Sequence, residues 1–311
     1  MYYVADVDGY LQDNKQIINL YDFYDQKVGE NETAVFFLGS SMIGYSIYPP
    51  EINRIVKANY PNITVYDLAV DGDLPIERAL EIQKIINAKP SLVIYGISYQ
   101  SVADQLSTVQ FFDRTKLVHS RLNVREDCLW LYNDDEMIYF TPISDFEKKK
   151  YLKSAFKYKL NGKYGLINYS FDPYVGTENK RKIPPIKSDV ITWLNNVVNS
   201  EWFPVITPES TRNKEALIYN VKTLHDAGIP VVILNMPLRP MLSEKITDES
   251  RANFYDLLNR TGVEWYDLER DYDDEWFIDP IHASFDGALK FAPRMADLII
   301  EQVEKDVIHY T

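Results

Sequence analysis

The sequence predicts an α/β domain, a three-layer sandwich with a central parallel sheet and a large insertion after its third strand. Short apolar runs end at Gly or at a polar turn, as buried central strands do. They alternate with helical segments opened by Pro, at a spacing of about 30 residues, which is the signature of βαβ units. The alternation lapses over residues 102–213 and then resumes, so one domain is divided rather than followed by another.

The first strand is Ala34–Leu38, stopped by Gly39, with Ser40 and Ser41 directly after it. Pro49 and Pro50 start a helix through Ile52 and Val56, since Pro fits a first helical turn. A second strand, Ile63–Val70, runs into Asp71-Gly72-Asp73, and Pro75 opens a helix that Pro90 closes. The third strand, Ser91–Ile97, ends at Ser98. After the insertion a helix over Lys214–Ala227 stops at Gly228, followed by strand Val231–Asn235. A helix near Glu249–Asn259 leads to strand Val263–Leu268. A last helix, from Ser284 to about Val303, contains Pro293, which is expected to kink or restart it. The whole chain thus reads as one domain, with a core over about 33–101 and 214–305, the insertion, and an N-terminal arm over 1–32.

Composition narrows the function. With 46 acidic against 33 basic side chains the net charge is -13, which argues against nucleic-acid binding, where affinity comes from neutralising phosphates. One cysteine, Cys128, rules out an intrachain disulfide and a Cys-based zinc site. No P-loop or dinucleotide glycine fingerprint is present, and no cofactor or metal is expected. No apolar stretch reaches membrane-span length, and the N-terminus has no signal-peptide pattern. Sequons at Asn31, Asn62, Asn168 and Asn259 point toward an extracytoplasmic domain of an exported or anchored protein over a cytoplasmic one.

Chemistry concentrates at strand ends. Ser40 or Ser41 sits beyond the carboxyl end of a buried strand, where α/β sheets bind ligands. The same residues also read as a Ser-rich turn capping the next helix. Of four histidines, His309 is terminal, His119 lies in the insertion, and His225 falls at a helix C-terminus, where it meets the dipole. His282 follows Asp279 by three residues in a loop before a helix. A carboxylate so placed can take the imidazole Nδ1–H and leave Nε2 as a base, although Asp-Pro-Ile-His is equally a plain capped turn. With the serine turn it completes a nucleophile, base and orienter.

Taken in order, these segments resemble the SGNH (GDSL-like) hydrolases, a flavodoxin-like superfamily of esterases and carbohydrate O-acyl hydrolases or transferases. The matching segments are Phe36-Phe-Leu-Gly-Ser-Ser41, Tyr66-Asp-Leu-Ala-Val-Asp-Gly72, Gly96-Ile-Ser-Tyr99 and Asp279-Pro-Ile-His282. The resemblance implies Ser41 as nucleophile, His282 as general base and acid, and Asp279 as its orienter. It implies an oxyanion hole from the N–H groups of Ser41 and Gly72, with Ser98 as a third donor. Two departures stand out: Ser40 replaces the family's Asp before the nucleophile, as in its cell-envelope acyl-transfer branches, and Ser98 replaces the oxyanion-binding Asn. Loss of such a donor costs on the order of 10²–10³ in rate, unless Gln100 takes over. A serine esterase or O-acyltransferase acting on an acylated carbohydrate or cell-surface glycan is expected. The alternative is a catalytically silent binding domain for a cell-surface polymer.

Ser40, Gln100 and Arg239 are further candidates for substrate contact, Arg239 also reading as one half of a salt bridge. Seven lysines from Lys148 to Lys163, interleaved with aromatics, form either a solvated helix face or a contact for an anionic polymer or membrane surface. The acidic runs 133–136 and 271–275 lack the alternation of a calcium loop and read as solvated surface.

Overall fold

A computed structural model describes residues 32–70, 72–103, 125–132 and 204–308, with Thr192 and Asn196 as isolated helical positions. The N-terminal arm to residue 31, the Lys148–Lys163 segment, the acidic run 133–136, His119 and His309 lie outside the described residues.

The core is a parallel five-stranded sheet: β1 (Thr33–Gly39), β2 (Ile63–Asp67), β3 (Leu92–Ile97), β4 (Val231–Asn235) and β5 (Trp265–Asp267). Their order across the sheet is β2-β1-β3-β4-β5, the flavodoxin-like arrangement in which the chain reverses direction between β1 and β3. Every residue of β1 to β4 is buried, which is why these strands are continuous apolar runs rather than alternating ones. The edge strand β5 is only partly covered.

The helices, in chain order, are α1 (Ser41–Ser46), α2 (Pro49–Val56), α3 (Pro75–Ala88), α4 (Tyr99–Val102), α5 (Arg212–Asp226), α6 (Pro240–Ser243), α7 (Asp248–Arg260) and α8 (Phe285–Glu304). Helix α2 packs on α8, and α3 packs on α5. The connection from β3 to β4 holds the expected insertion. Its short 3₁₀ segment Glu126–Leu131 closes a small second core, in which Cys128, Leu131 and Tyr132 meet Leu74, Ile76 and Leu80. Burial pushes the Cys128 thiol up to about 12, so it is an inert packing group.

Two features differ from the sequence reading. Helix α8 does not restart at Pro293 but is helical over all of Phe285–Glu304, with Pro293 on its exposed face. Helix α1 begins at Ser41, eight residues before the expected helix start at Pro49.

Register places the site. Gly39 pairs with Gly96 at the carboxyl ends of β1 and β3. Gly39 has φ +134, and a Cβ there would lie 2.4 Å from the Gly96 carbonyl oxygen. Only glycine lets the chain turn so tightly between strand and helix, and the turn delivers Ser40 and Ser41 to the sheet edge.

Candidate active site

The two adjacent serines divide the roles that the sequence left open between them. Ser40 is the N-cap of α1, its Oγ accepting the Met42 N–H at 3.4 Å. Ser41, one residue on, points its Oγ at His282 Nε2, 2.8 Å away, although 241 residues separate the two in sequence. His282 Nδ1 lies 2.7 Å from Asp279 Oδ2. An ionised carboxylate can only accept, so Nδ1 carries the imidazole proton and Nε2 is left to accept from the Ser41 hydroxyl.

The loop bearing Asp279 is tied to itself. Asp279 Oδ1 accepts the N–H groups of Ile281 and His282 at 2.9 and 2.8 Å, while Oδ2 serves the imidazole. The Ile278 N–H returns to the His282 carbonyl at 2.9 Å, and Phe277 bridges to Ala283. Burial pushes the Asp279 carboxyl up, but the His282 hydrogen bond and charge and the two backbone donors outweigh it. They hold it below the ordinary carboxylate range.

Arg239, raised as a substrate contact, is committed elsewhere. Its Nε and Nη2 grip Asp274 at 2.6 and 2.7 Å, and its backbone N–H donates to the Pro280 carbonyl. It therefore anchors the Asp279–His282 loop from the end of β4. Asp274 belongs to the acidic run 271–275, whose four carboxylate residues are exposed as expected, Asp274 reaching back from the surface to the buried Arg239.

Ser98 makes no hydrogen bond to Ser41 or His282. It is 1% exposed, with its Oγ 3.2 Å from Ser101 Oγ and its N–H donating to that same hydroxyl, closing the first turn of α4. Ser98 is thus the N-cap of α4, its hydroxyl paired with that of Ser101. Gln100, in the same turn, is half-buried.

Gly72 stands exposed at φ +71, where its N–H makes no hydrogen bond among the described residues. The next residue, Asp73, is fixed: Arg78 of α3 donates to Asp73 Oδ2 at 2.9 and 2.5 Å and to Glu81 at 3.0 Å, all three side chains being sealed from solvent. Sequence reading did not single out this group, since Glu-Arg charges on a helix ordinarily face water. Its signal was the apolar residues on every side of them. Removing one member of a buried ion group leaves its partners' charge uncompensated. Arg78→Met is expected to lower the unfolding free energy by about 3–5 kcal/mol, read by urea denaturation. A change below about 1 kcal/mol, the range of exposed pairs, would show the group to be solvated.

A second buried group braces the far side. Glu269 accepts from Tyr99 at 2.6 Å, from Arg251 at 2.8 and 3.1 Å, and from Ser243, joining α4, α6, α7 and the end of β5. Burial alone would raise the Glu269 carboxyl, but its donors, Arg251 first, hold it low. Among the described residues no group of three or more His, Cys, Asp or Glu could hold a metal ion.

No family model matches the chain, and no curated protein matches it. Solved structures do. A candidate acylhydrolase from Bacteroides fragilis aligns with a TM-score of 0.43 at 10% identity, covering 94% of this chain and 98% of that one. A gut microbial diltiazem-metabolizing enzyme aligns with a TM-score of 0.34 at 11% identity. That match covers 89% of this chain but spans only 48% of the other. Likeness at this level leaves the chemistry to be argued from the side chains. No helix among the described residues is long and apolar enough to cross a membrane.

Proposed function

We propose that the protein is a serine esterase or O-acyltransferase acting on an acylated carbohydrate or cell-surface glycan, in the manner of the SGNH hydrolases. The observation that carries this reading is the chain Ser41 Oγ to His282 Nε2 to Asp279 Oδ2, at 2.8 and 2.7 Å on the carboxyl edge of a parallel sheet. Both distances are within the range that a nucleophile and its base require.

Ser41 Oγ attacks the ester carbonyl carbon while His282 Nε2 takes its proton. Asp279 holds the imidazole proton at Nδ1 and balances the charge the ring acquires. The N–H groups of Ser41, at the first turn of α1, and of Gly72 receive the developing oxyanion. Collapse breaks the ester C–O bond, and His282 returns the proton to the departing alkoxide. The acyl-enzyme then passes its acyl group to water, giving the acid, or to a sugar hydroxyl, giving a new ester. With Ser98 turned to Ser101, a third donor must come from elsewhere, and a slow enzyme is expected. In this reading the insertion over residues 102–213, which follows β3 in sequence, shapes the substrate site. The Lys148–Lys163 segment meets an anionic polymer or membrane surface.

The rival reading is a catalytically silent binding domain, and the engagement of Ser98 is the observation that favours it. A fluorophosphonate probe separates the two. Covalent labelling confined to the peptide containing Ser41, and weakened in His282→Ala, supports catalysis. Folded protein that stays unlabelled at neutral pH supports the binding domain.

A further inference from the structure

Tyr45 is in ring contact with His282, and the esterase chemistry above makes no use of it. It stands four residues after Ser41 on α1, so one helix face presents both the hydroxyl and the ring. Its ring centroid lies 4.6 Å from that of the imidazole, with the planes inclined at 42°. A second ring contact lies just beyond α1, where Tyr48, the N-cap of α2, meets Phe285 edge to face at 5.1 Å. The first contact ties α1 to the loop that carries His282, and the second ties the start of α2 to the first residue of α8.

The hydrogen bonds at Nδ1 and Nε2 lie in the plane of the imidazole. They fix its two ends but resist poorly a tilt about the line between them. A ring laid against the imidazole face opposes that tilt. The π face of a phenol also attracts the positive charge the imidazole gains when it accepts the Ser41 proton. We infer that Tyr45 is a positioning residue, holding the face of His282 so that Nε2 stays aligned on Ser41 Oγ through the reaction. The inference rests on the reading of Ser41 and His282 as nucleophile and base.

Turnover of p-nitrophenyl acetate by wild type, Tyr45→Phe, Tyr45→Leu and Tyr48→Leu tests it, alongside proton NMR of unreacted protein. Tyr45→Leu is expected to lower kcat about 3- to 10-fold, the worth of one aromatic contact, with KM changed less than about twofold. Tyr45→Phe keeps the ring and is expected to retain at least about half of kcat. Tyr48→Leu removes the neighbouring ring contact, between the start of α2 and α8, without touching His282; it is expected to lower the melting temperature and leave kcat alone. In the NMR spectra the downfield Nδ1–H proton of His282, assigned by its absence in His282→Ala, persists in Tyr45→Phe and broadens in Tyr45→Leu. The inference is overturned if Tyr45→Leu matches wild type in kcat and in that resonance. It is equally overturned if the loss falls on KM, if Phe is as poor as Leu, or if Tyr48→Leu lowers kcat as much. If wild type shows no Ser41-dependent turnover, the esterase reading has failed, and the Nδ1–H resonance alone decides whether Tyr45 holds the ring.

Discussion

Ser41→Ala is expected to abolish fluorophosphonate labelling and to cut ester turnover by on the order of 10⁶, the cost of losing the nucleophile of a serine triad. The neighbouring serine makes the test sharp, because a hydroxyl remains one residue away. Ser40 cannot stand in for Ser41. Its Oγ is the cap of α1 and faces the Met42 N–H, whereas the bond to His282 Nε2 belongs to Ser41. Ser40→Ala should therefore behave as a cap deletion, costing about 1 kcal/mol of stability and leaving turnover within about tenfold of wild type. Parallel measurement of hydrolysis and melting temperature on the two variants separates the roles. Labelling that survives in Ser41→Ala, or vanishes equally in both, would mean that the wrong oxygen has been assigned.

Much of the fold was legible because buried parallel strands leave a plain trace. The strand Val231–Asn235 has the bounds expected of it, and β1 extends the expected run by one residue at each end. Proline at the start of α2 and α3 fixed those helices equally well. Boundaries failed where the signal was mixed. Apolar residues continue through Leu68, Ala69 and Val70, which are buried, and the N–H groups of Leu68 and Val70 still donate to the Phe37 and Gly39 carbonyls of β1. The regular strand nevertheless stops at Asp67, whose side chain takes the Ala69 N–H. Helix α1 escaped notice because six residues with a central Gly44 offer neither length nor a clear apolar stripe. Missing that helix also hid Tyr45, whose nearness to His282 follows from helical spacing once Ser41 is known to be its first residue.

The site was legible for a different reason. Asp279 and His282 are close in sequence, so their geometry is local. Bringing His282 to Ser41 needs the whole sheet. Strand β5 lies three places from β1, and the loop after β5 has to come back past the end of β4, where Arg239 holds it, to reach the end of β1. The buried charges left little trace beyond the apolar residues that surround Arg78 in sequence. Arg78 with Asp73 and Glu81, and Arg251 with Glu269, are ordinary surface residues by type. Their burial depends on what packs over them. Both groups lie behind the loops that carry candidate site residues, Gly72 before Asp73 and Ser98 before Tyr99. Here buried charge fixes loop positions, at a cost in desolvation that apolar packing would not incur.

Asp279→Asn is the second large expected effect, about 10⁴ in kcat, and the two carboxylate oxygens make it a clean experiment. Oδ1 holds the loop by accepting from Ile281 and His282, a task the amide oxygen of Asn performs equally well. Oδ2 is replaced by an NH₂ group, which can only donate. It would force the proton of His282 from Nδ1 to Nε2, so the nitrogen facing Ser41 becomes a donor and can no longer take the hydroxyl proton. The variant should fold with a melting temperature within a few degrees of wild type and label slowly, whereas Asp279→Ala should lose the loop as well as the rate. A transferred Nδ1–H resonance, visible by proton NMR in wild type and missing in Asp279→Asn, would tie the rate loss to the tautomer. If Asp279→Asn instead retains a tenth or more of wild-type turnover, the imidazole does not depend on that carboxylate, and the three residues meet only as a structural turn.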